Sequence, residues 1–310
     1  MSTFQHVTDI GEKLPISCIE DNMKSFLDWG FLNIGAFINV ASSSSGISGG
    51  TFNQLKPVTD PSLPSTTVWS SPRKDWVYET EIAYTGSNPI PISGIYINNN
   101  FIPGPTGTSG IPYRIDYNSG QIIFESPKPP SSNITLNYSY RYVQVYKANE
   151  SVWWKELQDQ SYNPKNFNSN PDFNIMANHK VQLPAIIIET ISRTSQTPYQ
   201  LGTTENIIGQ DVLLHVFTEN PVQRNNIINI LLLQKDKESF LYDINKVIKN
   251  NAFGLNYRGE KNNNALNYSE LIDNYKYKLF YIDNAVTSEL NTLSSSLYNG
   301  IVRWSLKIFP

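Results

Sequence analysis

One stretch near the middle of the chain, residues 181–234, does most to limit how it can fold. It reads VQLPAIIIETISRTSQTPYQLGTTENIIGQDVLLHVFTENPVQRNNIINILLLQ, and its apolar period changes along its length. Residues 185–191 are a short apolar run rich in β-branched side chains, closed off by Pro184 and the polar cluster 192–198, as suits a strand buried on both faces. Residues 207–217 read as a second strand, interrupted once by Gly209. A helix start follows, in which Asn220 can accept an amide hydrogen bond from the first turn and Pro221 sits where a missing N–H costs nothing. Ile227, Ile230, Leu231 and Gln234 then repeat at helical spacing, with Ile228 and Leu232 widening the stripe. The order is strand, strand, helix, and the helix has one apolar face with which to cover a sheet.

Upstream, residues 17–30 carry the marks of another helix. Ser17 and Glu20 stand at capping-box spacing, Ile19, Met23, Phe26 and Leu27 share a face, and Gly30 can take the left-handed conformation that ends a helix. Residues 31–40 read as a strand. The character changes over 41–71, where ASSSSGISGG and the Pro-rich LKPVTDPSLPSTTVWSSP show neither helical nor strand period. This segment reads as a flexible arm or linker, either a loose connector or an arm that orders on a neighbouring subunit.

Residues 72–147 have a period near two. WVYETEIAY, GIYINNNFI, YRIDY, GQIIFE and NITLNYSYRYVQVY are separated by Gly, Pro and Asn turns, with a tight one at 117–120. An all-β, sandwich-like insert follows from that pattern. In its last strand Thr135, Asn137, Ser139 and Arg141 alternate with Leu136, Tyr138, Tyr140 and Tyr142. The aromatic row can fill a core or present contacts to a sugar or protein; a small sandwich needs bulky filling, which favours the core.

Helix is expected again over 150–158, with Trp153, Trp154 and Leu157, followed by a polar, Asn-rich loop over 159–180. Adjacent tryptophans on a helix point about 100° apart, so the two indoles serve different surroundings. After a charged corner at 235–239, a short helix is expected at 268–275 and strands at 276–282 and 298–309, the last alternating at Val302, Trp304, Leu306 and Ile308. The fold expected is α+β: a mixed or antiparallel sheet of four or five strands, built from 31–40 and the chain after 181, with helices 17–30 and 221–234 covering one face. Residues 1–40 and 148–310 would then form a discontinuous core, 41–71 the arm, and 72–147 the inserted β domain.

A chain of 310 residues buries about three quarters of its unfolded surface, enough for one or two domains. Only 16% of residues are charged, well under the roughly 25% of an average soluble protein. Asn, Ser, Thr and Tyr take their place, which fits either surfaces that meet other protein or a bias toward AT-rich codons. A net charge of −3 provides no general basic field for nucleic acid. The lone Cys18 cannot form an internal disulfide, which fits assembly in a reducing cytoplasm. MSTFQHVTDIGEK lacks the basic and apolar regions of a secretory signal, and no run of about 18 apolar residues is long enough to span a membrane.

No catalytic grouping emerges. The histidines are His6, His179 and His215, and none has a second His or a Cys at metal-binding spacing. Asp211 and His215 share a strand face but lie about 13 Å apart by strand rise, too far for a relay. PGPTGTSG, at 103–110, lacks the Lys and the following helix of a phosphate loop, and no Ser sits in a G-x-S-x-G context. The reading is therefore of a protein that is not an enzyme, with no cofactor and no metal.

Three segments together resemble the neck or tail-terminator (tail completion) proteins of tailed bacteriophages. They are IEDNMKSFLDWG, LPAIIIE followed by PYQLG, and GQDVLLHVFTENPVQRNNIINILL, and the resemblance covers about residues 16–40 and 181–310. It implies a virion structural protein of the neck, a ring of identical copies, six by family resemblance, that terminates the tail and joins it to the head connector. Its partners would be itself, tail tube or sheath proteins and connector proteins, with DNA only as passing cargo and no membrane. The β insert departs from shorter family members and resembles the extra domains of larger contractile-tailed virions. On this reading Trp153, Trp154 and Arg224 are assembly contacts, against core packing for the tryptophans and a solvated charge for Arg224. The alternative is a capsid or tail accessory protein whose β domain binds glycan or another virion protein.

Overall fold

Apolar alternation after Pro184 builds strands much longer than the average. The computed structural model describes residues 15–41, 53–59, 66–79, 82–104, 113–151, 154, 181–200, 205–241, 279–294 and 296–310. Among them stand two helices, α1 (Pro15–Asn33) and α2 (Pro221–Leu232), and fifteen strands. The expected α+β fold, with helices covering one face of a sheet, is therefore corrected: the protein is mostly β, and its principal sheet curls into a half-barrel. The described residues within 1–28, 145–246 and 270–310 form one compact unit, and those within 29–144 a second.

The first unit contains a six-stranded sheet. Its strands are β10 (Gln144–Lys147), β11 (Ala185–Pro198), β12 (Asn206–Thr218), β13 (Glu238–Phe240), β14 (Leu279–Ser294) and β15 (Leu297–Phe309). Their order is β10-β11-β12-β15-β14-β13. β12 pairs antiparallel with β15 from Ile208↔Ile308 to Thr218↔Tyr298. β14 pairs antiparallel with β15 as well, but its register shifts at Ile282/Asn284, Thr287/Glu289 and Thr292/Ser294. Each bulge adds a residue to β14 and sharpens the local twist, which is the physical source of curl in a sheet of long strands. The same bulges explain why only 276–282 reads as a strand from sequence. Ile282, Ala285, Thr287, Leu290 and Thr292 lie opposite Leu306, Trp304, Val302, Gly300 and Tyr298, so their spacing alternates between three and two residues. That pattern matches neither a strand's period of two nor a helix's 3.6.

On one face of this sheet Val212, Leu214, Val216, Phe280, Ile282, Val302, Trp304, Leu306 and Ile308 are buried. Phe26 of α1 meets Phe280 and Trp304 edge-on at ring separations of 5.7 and 6.3 Å, and the Trp304 indole donates to the Leu231 carbonyl of α2 at 3.1 Å. Helix α1 starts at Pro15, earlier than the capping-box reading, and Glu20 accepts from the Thr190 hydroxyl at 2.8 Å instead of closing a cap. It also runs past Gly30 to Asn33, and Gly35, at φ 83°, is the left-handed residue that follows it.

The second unit is built from short strands. β1 (Phe37–Val40) pairs with β9 (Tyr138–Arg141), so the segment 31–40 does not join the sheet made by the chain after 181. Phe31 and Leu32 continue the helix, leaving a four-residue strand. A four-stranded sheet, β2-β3-β7-β6, contains β2 (Lys56–Pro57), β3 (Val68–Ser70), β6 (Tyr113–Asp116) and β7 (Gln121–Phe124). A three-stranded sheet, β5-β4-β8, contains β4 (Gly94–Ile97), β5 (Asn100–Pro103) and β8 (Ile134–Thr135). Leu55 and Trp69 are buried in the core of this unit and Val68 is buried as well, so parts of the expected arm are structural; strands of two or three residues are too short to show a period. Residues 42–52 and 60–65 of that arm lie outside the described residues.

The single last strand expected for the insert is divided among β8, β9 and β10, which belong to three different sheets. Two of its tyrosines pack inward and one does not: Tyr138 and Tyr140 are buried, with Tyr138 5.0 Å from Trp76, while Tyr142 is exposed. Burial pushes the Tyr138 phenol up to about 12, with a hydrogen bond to Ser71 pulling it the other way. Of the polar row, Ser139 and Arg141 are buried too, while Thr135 and Asn137 are half-buried. The Ser139 hydroxyl donates to Asn39 at 2.6 Å, and Arg141 bridges Asp75 and Glu79 over the ring of Tyr78. The expected helix at 268–275, and all of 150–158 beyond Ser151 except Trp154, lie outside the described residues.

Candidate functional site

Strand alternation turns Ile187 and Glu189 of β11, and His215 and Phe217 of β12, to the face of the sheet opposite that buried by α2. In the antiparallel register Ile187 stands against His215 and Glu189 against Leu213. Glu189 is thus one step diagonal from His215, within reach of a long side chain. His215 Nε2 lies 2.7 Å from Glu189 Oε2, and a neutral ring carrying its proton on Nε2 donates to that carboxylate. Trp154 covers the pair, its ring centroid 4.4 Å from His215 and 6.0 Å from Phe217. Ala148, Ile187 and Phe217 complete a buried apolar nest around the indole, with Tyr146, Leu183 and Leu297 at its margin. Burial lowers the His215 pKa below its ordinary value, while Glu189 and Glu289 pull it back up less strongly.

Asp211 is engaged elsewhere on that face. Its carboxylate pairs with Arg303 and accepts from the Ser305 hydroxyl at 2.7 Å, both on β15. Lys307 pairs with Asp283 at 2.6 Å. Searching along one strand for a partner to His215 finds only Asp211; the register across strands supplies Glu189. That register could have been inferred from sequence by pairing the two strand patterns as a hairpin.

Of the residues expected to be assembly contacts, Trp153 lies outside the described residues. Trp154 is buried in the nest. Arg224 is 9% exposed and points inward, its Nη1 donating to the carbonyls of Asn291 and Asn299 at 3.2 and 3.3 Å, with the Tyr298 ring 6.0 Å away. It ties α2 to the β14 and β15 backbones, so its charge is held within the protein rather than solvated.

What α2 does present to solvent is a face with no charged side chain. Asn220 Oδ1 caps it, accepting from the Val222 amide at 2.8 Å. Arg224 is the only charged residue between Pro221 and Leu232, and its burial leaves Val222, Asn225, Asn226 and Asn229 exposed, followed by Leu233. Val222 is 64% and Leu233 79% exposed, and on β14 Val286, Leu290 and Leu293 are exposed as well. Leu290 adjoins α2: a Cβ placed on Gly300 would touch Ile228, Leu290 and Arg224 together. Sequence reasoning missed these positions because the helical stripe marks the buried side, and the outward side was legible only as its complement.

Among the described residues no group of three or more His, Cys, Asp or Glu side chains is placed to hold a metal ion, and no helix is long and apolar enough to cross a membrane. No family model matches the chain, and no curated protein matches it.

Proposed function

We propose that this chain is a structural assembly subunit, a virion neck protein of a tailed bacteriophage whose copies form a ring between the tail and the head connector. The observation that supports this most is the uncharged outer face of α2 together with Leu290 of β14. Between Pro221 and Leu232 the exposed side chains are apolar or amide, with exposed charges only beyond the ends at Glu219 and Lys235, and such a face favours contact with another protein over contact with water. The occupant of that face is a second copy of the chain, and cyclic closure would satisfy every copy equally. Tail tube, sheath and connector proteins would meet the ring at its two ends, and DNA would pass through without being read. The phage neck itself is supported by the resemblance of the segments quoted above.

Native mass spectrometry and negative-stain microscopy test the reading, with Leu233→Lys/Leu290→Lys as the comparison. The expected result is closed rings from the unaltered chain and monomers from the double variant at unchanged thermal stability. A chain that stays monomeric at high concentration and does not bind isolated tail tubes overturns it.

A second reading has one observation in its favour. In the β unit Phe101 is exposed on the β4–β5 hairpin and packs on Tyr96 at 5.1 Å, an aromatic pair of the kind that can stack on a sugar ring. Glycan-array binding lost on Phe101→Ala would favour a glycan-binding accessory protein over a neck ring.

A further inference from the structure

The six-stranded sheet leaves part of an edge open on each flank. β13 and the turn before it border β14 only as far as Ile282, and from Asp283 onward β15 is its one neighbour among the described strands. Residues 286–293 stand there exposed on both faces, Val286, Leu290 and Leu293 among them, and Glu289 is the single charge between Asn284 and Ser294. On the other flank β10, four residues long, adjoins β11 around Ile188, where the Ala148 amide donates to the Ile188 carbonyl, and residues 194–198 pair with β12. That stretch is exposed and uncharged. An edge strand normally carries a lysine, an inward charge or a proline to keep other chains off. β14 has bulges instead, yet between them residues 289–292 stay in unbroken register with β15, which leaves a regular outer edge.

We propose that these two edges join in neighbouring copies: residues 289–292 of one chain pair antiparallel with 194–197 of the next, so that the sheet continues from copy to copy. The proposal rests on the self-assembly argued above and adds which strands make the contact. Strand direction permits it. β11 is antiparallel to β12, β12 to β15 and β15 to β14, so a second sheet set alongside in the same orientation offers its β11 antiparallel to β14. The faces match as well. Leu290 stands opposite Gly300 and Gln196 opposite Ile208, on the side of the sheet toward α2, whereas Asn291 and Ser195, opposite Asn299 and Gly209, are on the other. Pairing Leu290 with Gln196 therefore sets Asn291 against Ser195, and both faces run on unbroken. The two edges differ from one another, so the contact is head-to-tail and closes a ring where the rotation allows. They lie toward opposite ends of the sheet, which steps each copy along the strands; strands inclined to the ring axis absorb that step, as in any closed sheet. Backbone groups of both edges gain partners, and Glu289 is the one charged side chain of the pairing.

Disulfide trapping in the full chain, with Cys18→Ser throughout, tests the proposal. Residues opposite one another in an antiparallel ladder have Cα atoms about 4.5–5.5 Å apart, within reach of a disulfide. Chains carrying Leu290→Cys are mixed with chains carrying Gln196→Cys, and Asn291→Cys with Ser195→Cys, then oxidised and read as covalent dimers on a non-reducing gel. Those two mixtures are expected to cross-link. The crossed mixtures, Leu290→Cys with Ser195→Cys and Asn291→Cys with Gln196→Cys, should not, because their thiols face opposite sides of the sheet. Hydrogen exchange of the unaltered chain serves if a variant does not fold: peptides covering 194–197 and 289–292 should exchange more slowly in the assembled protein than in dilute monomer. Rings without the matched cross-links, crossed mixtures that react as well, Leu290→Cys chains that cross-link among themselves, or unchanged exchange would overturn the pairing while leaving self-assembly in place. A chain that forms no rings removes the reading and the pairing together.

Discussion

The two compact units reach a stable β structure by different means. The sheet unit relies on length: β12 and β15 stay in register over eleven consecutive pairs, so no single pair decides whether the ladder forms. The β unit has strands of two to four residues, too short to hold a sheet through backbone pairing alone. Its order comes from side chains. Trp69, Trp76, Tyr113, Tyr117 and Tyr138 fill one core, and the side chains of Trp76, Arg141 and Ser139 bond to the backbone of Arg73, Trp76 and Ile90 where ladder bonds run out. A β region can thus be specified by many weak repeats or by a few strong, particular contacts, and the second kind is the more fragile to single substitutions.

Arg141→Met gives that comparison its sharpest test. The guanidinium is buried, pairs with Asp75 and Glu79, and donates to the Trp76 carbonyl. Removing one partner from such a site costs about 3–5 kcal/mol, because two largely covered carboxylates lose the cation beside them. The measurement is urea unfolding, read as a midpoint shift at constant slope. A loss under about 1 kcal/mol would mean that short strands hold the β unit without their charged centre, and the contrast between the units would fall.

Gly300→Ala probes the sheet unit and is expected to cost less, about 1–3 kcal/mol. The added Cβ would press on Ile228 Cδ1 and lie 3.3 Å from Leu290 Cδ2 and 3.4 Å from Arg224 Cδ; the first two are ends of side chains that can turn aside while the ladder on either side stays paired. Differential scanning calorimetry on both variants ranks them. If Gly300→Ala proves the more damaging, strand length does not provide the tolerance attributed to it.

The same difference governs how much of the molecule was legible in its sequence. β12, β15, α2 and the first half of β11 announce themselves, because long regular elements repeat a period often enough to be seen, and the Asn220–Pro221 helix start works as its chemistry requires; residues 192–198, read as the polar end of a strand, instead continue β11 to Pro198. β14 hides, since a bulge at every fifth residue replaces the period of two by alternating steps of three and two. β2 and β3 hide because two or three residues carry no period, and a Pro-rich stretch around Leu55 and Trp69 looks like a linker until the core it fills is seen. The β1–β9 pairing joins residues about a hundred positions apart, a contact that no local pattern encodes. At the candidate site the residue types were visible but their partners were not. Arg224 was noticed as a charge in a helix, and only the fold shows that it points at the Asn291 and Asn299 carbonyls; His215 was noticed without Glu189, which belongs to the neighbouring strand.

The smallest expected effect concerns α2, where both kinds of support meet. Asn220→Ala removes the side-chain oxygen that accepts from the Val222 amide, and a lost cap of this kind costs about 1 kcal/mol. Helix α2 should nonetheless persist. Ile227, Ile228 and Leu231 are buried, the Trp304 indole donates to the Leu231 carbonyl, and Arg224 holds the adjacent strands, all independently of the cap. Asn220→Asp should recover the loss, because a carboxylate both accepts the same amide and complements the positive end of the helix dipole. Hydrogen exchange separates the two supports: faster exchange confined to the first turn in Asn220→Ala assigns the rest of α2 to the sheet beneath it. Faster exchange along the whole helix would show instead that the cap organises α2, and that even in the unit of long strands one particular contact can set the order of an element.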